Sequence, residues 1–132
     1  MTTIRTAVKS ELPRVLFLLE SGLLSVSMGE IAHQIHSEQV LVALSDDNII
    51  GVIVVSPDGE IAEIDHIIVQ KDHRNEGIGR NLVSRACNRW GPLTAEFRAA
   101  VKPFYQSLGF DIKKINNRYR GHINLQDLET GK

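Results

Sequence analysis

Residues 67–83, IIVQKDHRNEGIGRNLV, limit the possible folds more than any other stretch of the chain. Ile67, Ile68 and Val69 are β-prone and end a run that starts at Glu60. Gln70 to Glu76 contain no apolar residue and read as a loop. Beyond the loop, Ile78, Leu82, Val83, Ala86 and Trp90 keep one face of a 3.6-residue helix apolar. Gly77 and Gly79 therefore fall in the first helical turn, where the leading N–H groups lack intrahelical partners and the dipole is positive. With no Cβ at either position, an anion can come close to the bare backbone, so a phosphate or pyrophosphate is the implied ligand. The stretch is not a GxxxxGK[ST] loop, because no Lys-Ser or Lys-Thr follows Gly79. It is not a GxGxxG fingerprint either, because Leu82 stands at the third glycine's place.

A chain of 132 residues suits one domain, 1–132, with a single core. Fifteen basic residues against sixteen acidic ones leave a net charge of −1, so bulk charge predicts neither a nucleic-acid nor a membrane partner. The single cysteine, Cys87, has no internal disulfide partner, which suits a reducing, cytoplasmic setting. The first residues, MTTIRTAVKSE, lack the apolar core of a signal peptide, and the apolar run around Val15–Val26 is interrupted by Glu20 and too short to span a bilayer.

Upstream, Thr3–Val8 reads as a strand. A helix capped by Ser10 follows, with Pro13 in its first turn, Leu12, Val15, Leu16 and Leu19 inward, and Gly22 as its stop. Ser27-x-x-Glu30 is a capping box that opens a second helix with Ile31 and Ile35 inward. His33 and His36 share a face of that helix, but no cysteine or acid completes a metal site, so they read as solvated and no metal is expected. Val40–Leu44, Ile49–Val55 and Glu60–Val69 form an antiparallel meander, with turns at Asp46-Asp47-Asn48 and Ser56-Pro57-Asp58-Gly59.

Strict alternation along the third strand gives two faces: Ile61, Glu63, Asp65, Ile67, Val69 and Ala62, Ile64, His66, Ile68. Neither is purely polar, so the strand should be central and covered on both sides. Charge there is costly unless paired or used, which singles out Glu63, Asp65 and His66. For Asp65 and His66 a solvated strand start and a functional role weigh equally; Glu63 reads as functional.

After the glycine helix, Gly91-Pro92 breaks the chain and Leu93–Phe97 forms a strand, parallel to 60–69 through a right-handed crossover. Arg98–Lys102 reads as a loop, Pro103 opens a short helix, and Gly109 ends it. A hairpin of Phe110–Ile115 and Tyr119–Leu125 turns at Asn116-Asn117, and Asp127–Lys132 is expected to fray.

Two segments carry a family resemblance. Arg74-Asn75-Glu76-Gly77-Ile78-Gly79 fits [RQ]-x-x-G-x-[GA], and Phe104-Tyr105-Gln106-Ser107-Leu108-Gly109-Phe110 fits [FL]-Y-x-x-x-G-F. With the order of elements, they make the chain resemble a small member of the GNAT N-acetyltransferase superfamily. The resemblance implies an α/β fold, a mostly antiparallel mixed sheet with a splayed parallel pair, and acetyl-CoA as co-substrate. The backbone of Ile67, Ile68 and Val69 would hold the pantetheine arm and polarise the thioester. Arg74, Asn75, Glu76, Gly77, Ile78, Gly79 and Arg80 would wrap the pyrophosphate. Tyr105 would protonate the departing thiolate. Arg98 departs from the asparagine found seven residues before that tyrosine in many relatives, and is a candidate for the cofactor's phosphates instead.

Glu63 lies six residues before Val69, the spacing of the catalytic glutamate in the histone and protein acetyltransferase branch, so it is the expected base. Attack needs a neutral amine, and a lysine-like amine has a reference pKa near ~10.4. No Ser-His-Asp or Cys-His set is evident and Cys87 reads as packed, so transfer direct to a primary amine is expected. The acceptor, small molecule or protein, is not legible: Glu30, Glu38 and Glu63 would favour a polycation, Arg118 and Arg120 an acid. Self-association as a homodimer is left open. The alternative is a non-catalytic acyl-CoA-binding module, against which Tyr105 and Glu63 both speak.

Overall fold

The computed structural model describes residues 2–22 and 25–129. Strand β1 (Thr2–Thr6) leads through a 3-10 turn (Lys9–Glu11) to helices α1 (Leu12–Ser21) and α2 (Met28–His36). The meander β2 (Val40–Ser45), β3 (Asn48–Asp58), β4 (Ile61–Val69) follows, then α3 (Ile78–Trp90), β5 (Leu93–Phe97) and α4 (Lys102–Ser107). A hairpin of β6 (Asp111–Ile115) and β7 (Arg118–Ile123) and a last helix, α5 (Leu125–Glu129), complete the order. The sheet runs β1-β2-β3-β4-β5-β7-β6, with β4 at its centre. Every neighbouring pair is antiparallel except β4–β5.

Helices cover both faces. Leu82, Val83 and Ala86 of α3 pack with Ile53, Val55 and Ile64. Val15 and Leu19 of α1 and Ile31 and Ile35 of α2 pack with Val40, Val42, Val52 and Val54 on the other face. Asp46 and Asp47, with φ of 53° and 68°, make the tight β2–β3 turn that needs two left-handed residues.

Several expectations need correction. Ser10 is not the cap of α1. It sits inside the 3-10 turn, and the longer Glu11 side chain reaches back instead, accepting from the Val8 N–H at 2.9 Å and pairing with Arg5 at 2.7 Å. Strand β3 continues through Pro57 to Asp58, so the turn narrows to Gly59-Glu60, with Gly59 at φ 67°. Residues 99–101 are a 3-10 turn. The tail does not fray from Asp127: Asn124 Oδ1 accepts from the Asp127 N–H at 2.9 Å and Asp127 Oδ2 from the Asn124 N–H at 3.2 Å. That reciprocal box starts α5, whose Leu128 is buried in the α3-side core. Thr130–Lys132 lie outside the described residues.

The correction with most consequence lies in β4. Val54 pairs with His66 but Val55 pairs with Ile64, leaving Asp65 without a partner. This bulge resets the alternation. Ala62, Ile64, Ile67 and Val69 all join the α3-side core, while Ile68 packs on the α1/α2 side. The strict two-face reading therefore fails at Asp65.

Candidate active site

Strands β4 and β5 are in register at only two pairs, Ala62 with Leu93 and Glu63 with Thr94. Beyond Glu63 they part, although β4 stays paired to β3 as far as Val69. The β5-facing backbone of residues 64–69 thus lacks a neighbouring strand. The gap opens towards the polar loop. Arg74 Nε donates to the Val69 carbonyl at 3.1 Å, and the Gln70 N–H donates to the Ile50 carbonyl at 2.7 Å, tying both ends of the loop's first half to the sheet. Arg14 reaches from α1 to Ile49 O at 3.1 Å and Gln70 Oε1 at 3.3 Å.

The two glycines are needed for different reasons. Gly77 caps α3 at φ 82°, and a Cβ there would meet no atom within 4 Å. At Gly79 a Cβ would sit 3.0 and 3.2 Å from the Phe104 ring, so a larger residue there would press on α4 whatever binds in front of the helix.

Phe104 is followed by Tyr105, which is 6% exposed. Its ring stacks on Phe97 at 4.2 Å and meets Phe104 and Phe110 edge-on at 5.2 and 5.0 Å. Burial pushes its pKa up to about 12, with the charge of Glu63 adding to the shift. Among the described residues its hydroxyl has no hydrogen-bond partner, yet no buried side-chain polar atom is left unsatisfied, so the hydroxyl keeps solvent access.

On the other side of β4 lies a cleft of about 750 Å³, bordered by Glu30 and Gln34 of α2, by Glu63, Asp65 and His66, and by Glu96 of β5. The bulge is what lets Glu63, Asp65 and His66 line one space. Asp65 accepts from Gln34 Nε2 at 2.9 Å and from the Ser56 hydroxyl. His66 is half-buried, and desolvation lowers its pKa below the ordinary imidazole value against the opposing pull of Asp65 and Glu30. The burial expected of Glu63 is not found: its side chain is 36% exposed and lies 3.5 Å from Arg120.

Arg120 is itself held by Thr94 at 3.0 Å and Glu96 at 3.3 Å, and Arg118 pairs with Glu96 at 2.9 Å. Neither arginine is a free cation for an acidic acceptor. Glu38 does not join the cleft; it pairs with Arg89 at 3.1 Å. His33 and His36 are exposed, and the described residues contain no group of three potential metal ligands.

A family model for the acetyltransferase (GNAT) domain matches residues 36–112. This chain belongs to the GNAT acetyltransferase family. Its fold recurs in solved structures. PaiA N-acetyltransferase from Thermoplasma acidophilum, in complex with coenzyme A, superposes with a TM-score of 0.80 at 15% identity over 94% of this chain and 99% of that one. The ribosomal-protein-S18-alanine N-acetyltransferase from Escherichia coli gives 0.74 at 18% identity over 92% and 91%. N-acetylglutamate synthase from Neisseria gonorrhoeae, complexed with coenzyme A and N-acetyl-glutamate, gives 0.81 at 17% identity over 95% of this chain but only 35% of that larger protein. At these identities the likeness is one of fold. No curated protein matches the sequence.

In this GNAT acetyltransferase, the residues expected from sequence fall into two groups around β4. Ile67–Val69 and residues 74–80, the end of the loop and the first turn of α3, border the gap, and Glu63 lines the cleft. The charge of Glu63 is felt at Tyr105, which links the two sides electrostatically. Arg98 is exposed at the start of the 3-10 turn, with no ion pair or side-chain hydrogen bond among the described residues. Sequence reasoning missed the Gln34–Asp65–Ser56 network and the Arg120 clamp. A signal for the bulge was present: Ala62, Ile64, Ile67 and Val69 are spaced two, three, two.

Cys87 is buried against the α3-side core, and burial pushes its thiol up to about 11. A thiol so rarely ionised at neutral pH is a poor nucleophile. Cys87→Ala is expected to leave kcat unchanged and the native protein to react slowly with a thiol-specific dye. Loss of turnover in a folded Cys87→Ala protein would make the thiol a participant. No helix among the described residues is long and apolar enough to cross a membrane.

Proposed function

We propose that the chain transfers an acetyl group from acetyl-CoA directly to a primary amine, small molecule or protein-borne, bound in the cleft. The observation that carries this reading is the parting of β4 from β5 after Glu63, which frees backbone donors beside the α3 N-terminus. The backbone of Ile67, Ile68 and Val69 holds the pantetheine arm and offers an N–H to the developing oxyanion. Arg74, Asn75, Glu76, Gly77, Ile78, Gly79 and Arg80 take the pyrophosphate at the helix start. The amine nitrogen attacks the thioester carbon, the C–S bond breaks, and the amine proton passes to a group on the cleft face of β4, for which Glu63 is the candidate read from sequence.

Tyr105 serves the leaving thiolate. With its pKa at about 12, full proton transfer to the departing thiolate, whose thiol has a pKa of ~8.5, would run uphill by roughly 5 kcal/mol. Tyr105 therefore acts by donating a hydrogen bond to the sulfur, and solvent supplies the final proton. The carboxylates of Glu30, Glu63 and Asp65 suit a cleft that receives an ammonium group.

The test is release of free thiol from acetyl-CoA across a panel of amines, read beside calorimetric binding of acetyl-CoA. Turnover of at least one amine supports the reading. Tight binding with no turnover of any amine would instead make the chain an acyl-CoA-binding module.

A further inference from the structure

On the reading above, the proton leaving the amine has three possible receivers on β4, and their surroundings differ. Asp65 is occupied: Gln34 Nε2 and the Ser56 hydroxyl both donate to its carboxylate. Glu63 faces Arg120, a cation that Thr94 and Glu96 hold in place. That pairing holds the Glu63 carboxylate in place as a fixed anionic contact. His66 has neither restraint. It lines the same cleft, no side chain bonds its ring among the described residues, and it stands next to Ile67, at the parted part of the strand. Glu63 lies on the last residue pair before the strands part, three residues further back.

The geometry points to His66 as the group that takes the proton from the attacking amine, with Glu63 positioning the amine as an anionic contact. In the step, the amine nitrogen forms its bond to the acetyl carbon, the sulfur leaves with the C–S electron pair, and the N–H proton passes to an imidazole nitrogen. Solvent then removes that proton. The bulge at Asp65 makes this possible, because in an unbroken strand His66 would share a face with Ala62 and Ile64 under α3.

The charged groups around the ring are consistent with the role. Glu30 and His33 line the cleft from α2, Glu63 and Asp65 from β4 and Glu96 from β5, while among the described residues β3 contributes the neutral Ser56. Burial outweighs the acids and keeps the imidazole neutral at physiological pH, ready to accept. The acids in turn favour the imidazolium formed in the step.

The experiment compares His66→Gln and Glu63→Gln with the parent over pH 5–9 with one amine from the active panel. The amine's own ionisation is common to all three proteins and divides out of the ratio of parent to variant. For His66→Gln the ratio in kcat/KM should be roughly 10²–10³ at neutral pH and shrink towards unity only as the pH falls through the parent's own imidazole pKa, which burial holds below the ordinary imidazole value. Acetyl-CoA affinity should be unchanged, which also reports the fold. Glu63→Gln should mainly raise KM for the amine, with kcat kept. If His66→Gln matches the parent at every pH, or if its deficit persists unchanged at acid pH, the assignment is overturned. If Glu63→Gln lowers kcat by that factor while His66→Gln keeps it, the base is Glu63. A parent that binds acetyl-CoA and turns over no amine overturns the acetyltransferase reading, and this assignment with it.

Discussion

Tyr105→Phe is expected to lower kcat by roughly 10²-fold while acetyl-CoA affinity and thermal stability stay close to the parent's. The stability half follows from packing. The stack on Phe97 and the edges to Phe104 and Phe110 depend on the ring, and the hydroxyl has no hydrogen-bond partner among the described residues whose loss would cost stability. Tyr105→Ala, by contrast, should destabilise the chain by about 3–5 kcal/mol through the cavity it leaves. The rate half follows from charge. Sulfur becomes anionic only as the C–S bond breaks, so a donor aimed at it stabilises the transition state more than the ground state. With the phenol pushed up to about 12, Tyr105 stays protonated across the working range and should add no basic limb to the rate profile. Single-turnover kinetics on folded Tyr105→Phe decides the matter. An unchanged chemical rate would leave Tyr105 as a packing residue.

The second large effect is expected at the α3 N-terminus, and the structure changes which glycine should be altered. Gly79→Val obstructs the proposed pyrophosphate site, but its Cβ would also press on Phe104 at 3.0 Å, displacing the neighbour of Tyr105. Weakened binding there would have two explanations. Gly77 separates them. Its Cβ direction is empty to 4 Å, and its φ of 82° is one that asparagine tolerates, as Asn75 at φ 66° already does in this loop. Gly77→Asn should therefore fold, with a modest loss of stability from the left-handed backbone, while placing a side chain in front of the free helix N–H groups. Acetyl-CoA affinity should fall about tenfold or more, equivalent to at least ~1.4 kcal/mol. Calorimetry giving parental affinity in folded Gly77→Asn would remove the helix start from the pyrophosphate site.

Local chemistry made much of this protein readable in advance. A β-run, a polar loop, two glycines and a 3.6-period apolar face could only be a strand–loop–helix, and the structure places α3 at Ile78–Trp90 accordingly. Gly91-Pro92 and Asn116-Asn117 marked their turns because backbone conformation at such residues is set within a few bonds. The same locality explains the failures. Ser10 caps no helix because it lies inside a 3-10 turn, where Glu11 accepts from the Val8 N–H and pairs with Arg5 on β1. The start of α5 was written in Asn124 and Asp127, a box with aspartate in place of the more familiar glutamate.

By itself, then, the sequence determined the order of elements, the glycine loop, the aromatic helix and the family they resemble, because each is coded by neighbours along the chain. The tertiary structure decided which polar residues meet. Period-2 reasoning put Glu63 and His66 on opposite faces; a single unpaired residue, Asp65, brought both to one cleft. Charges that cancelled on paper did not cancel in space, because Arg118 and Arg120 are engaged by Glu96 and Glu63 while Glu30 still faces the opening. Strand register and cross-sheet ion pairs are non-local: residues far apart in the chain must first be brought together before either can be read, and no spacing rule within one segment carries that information.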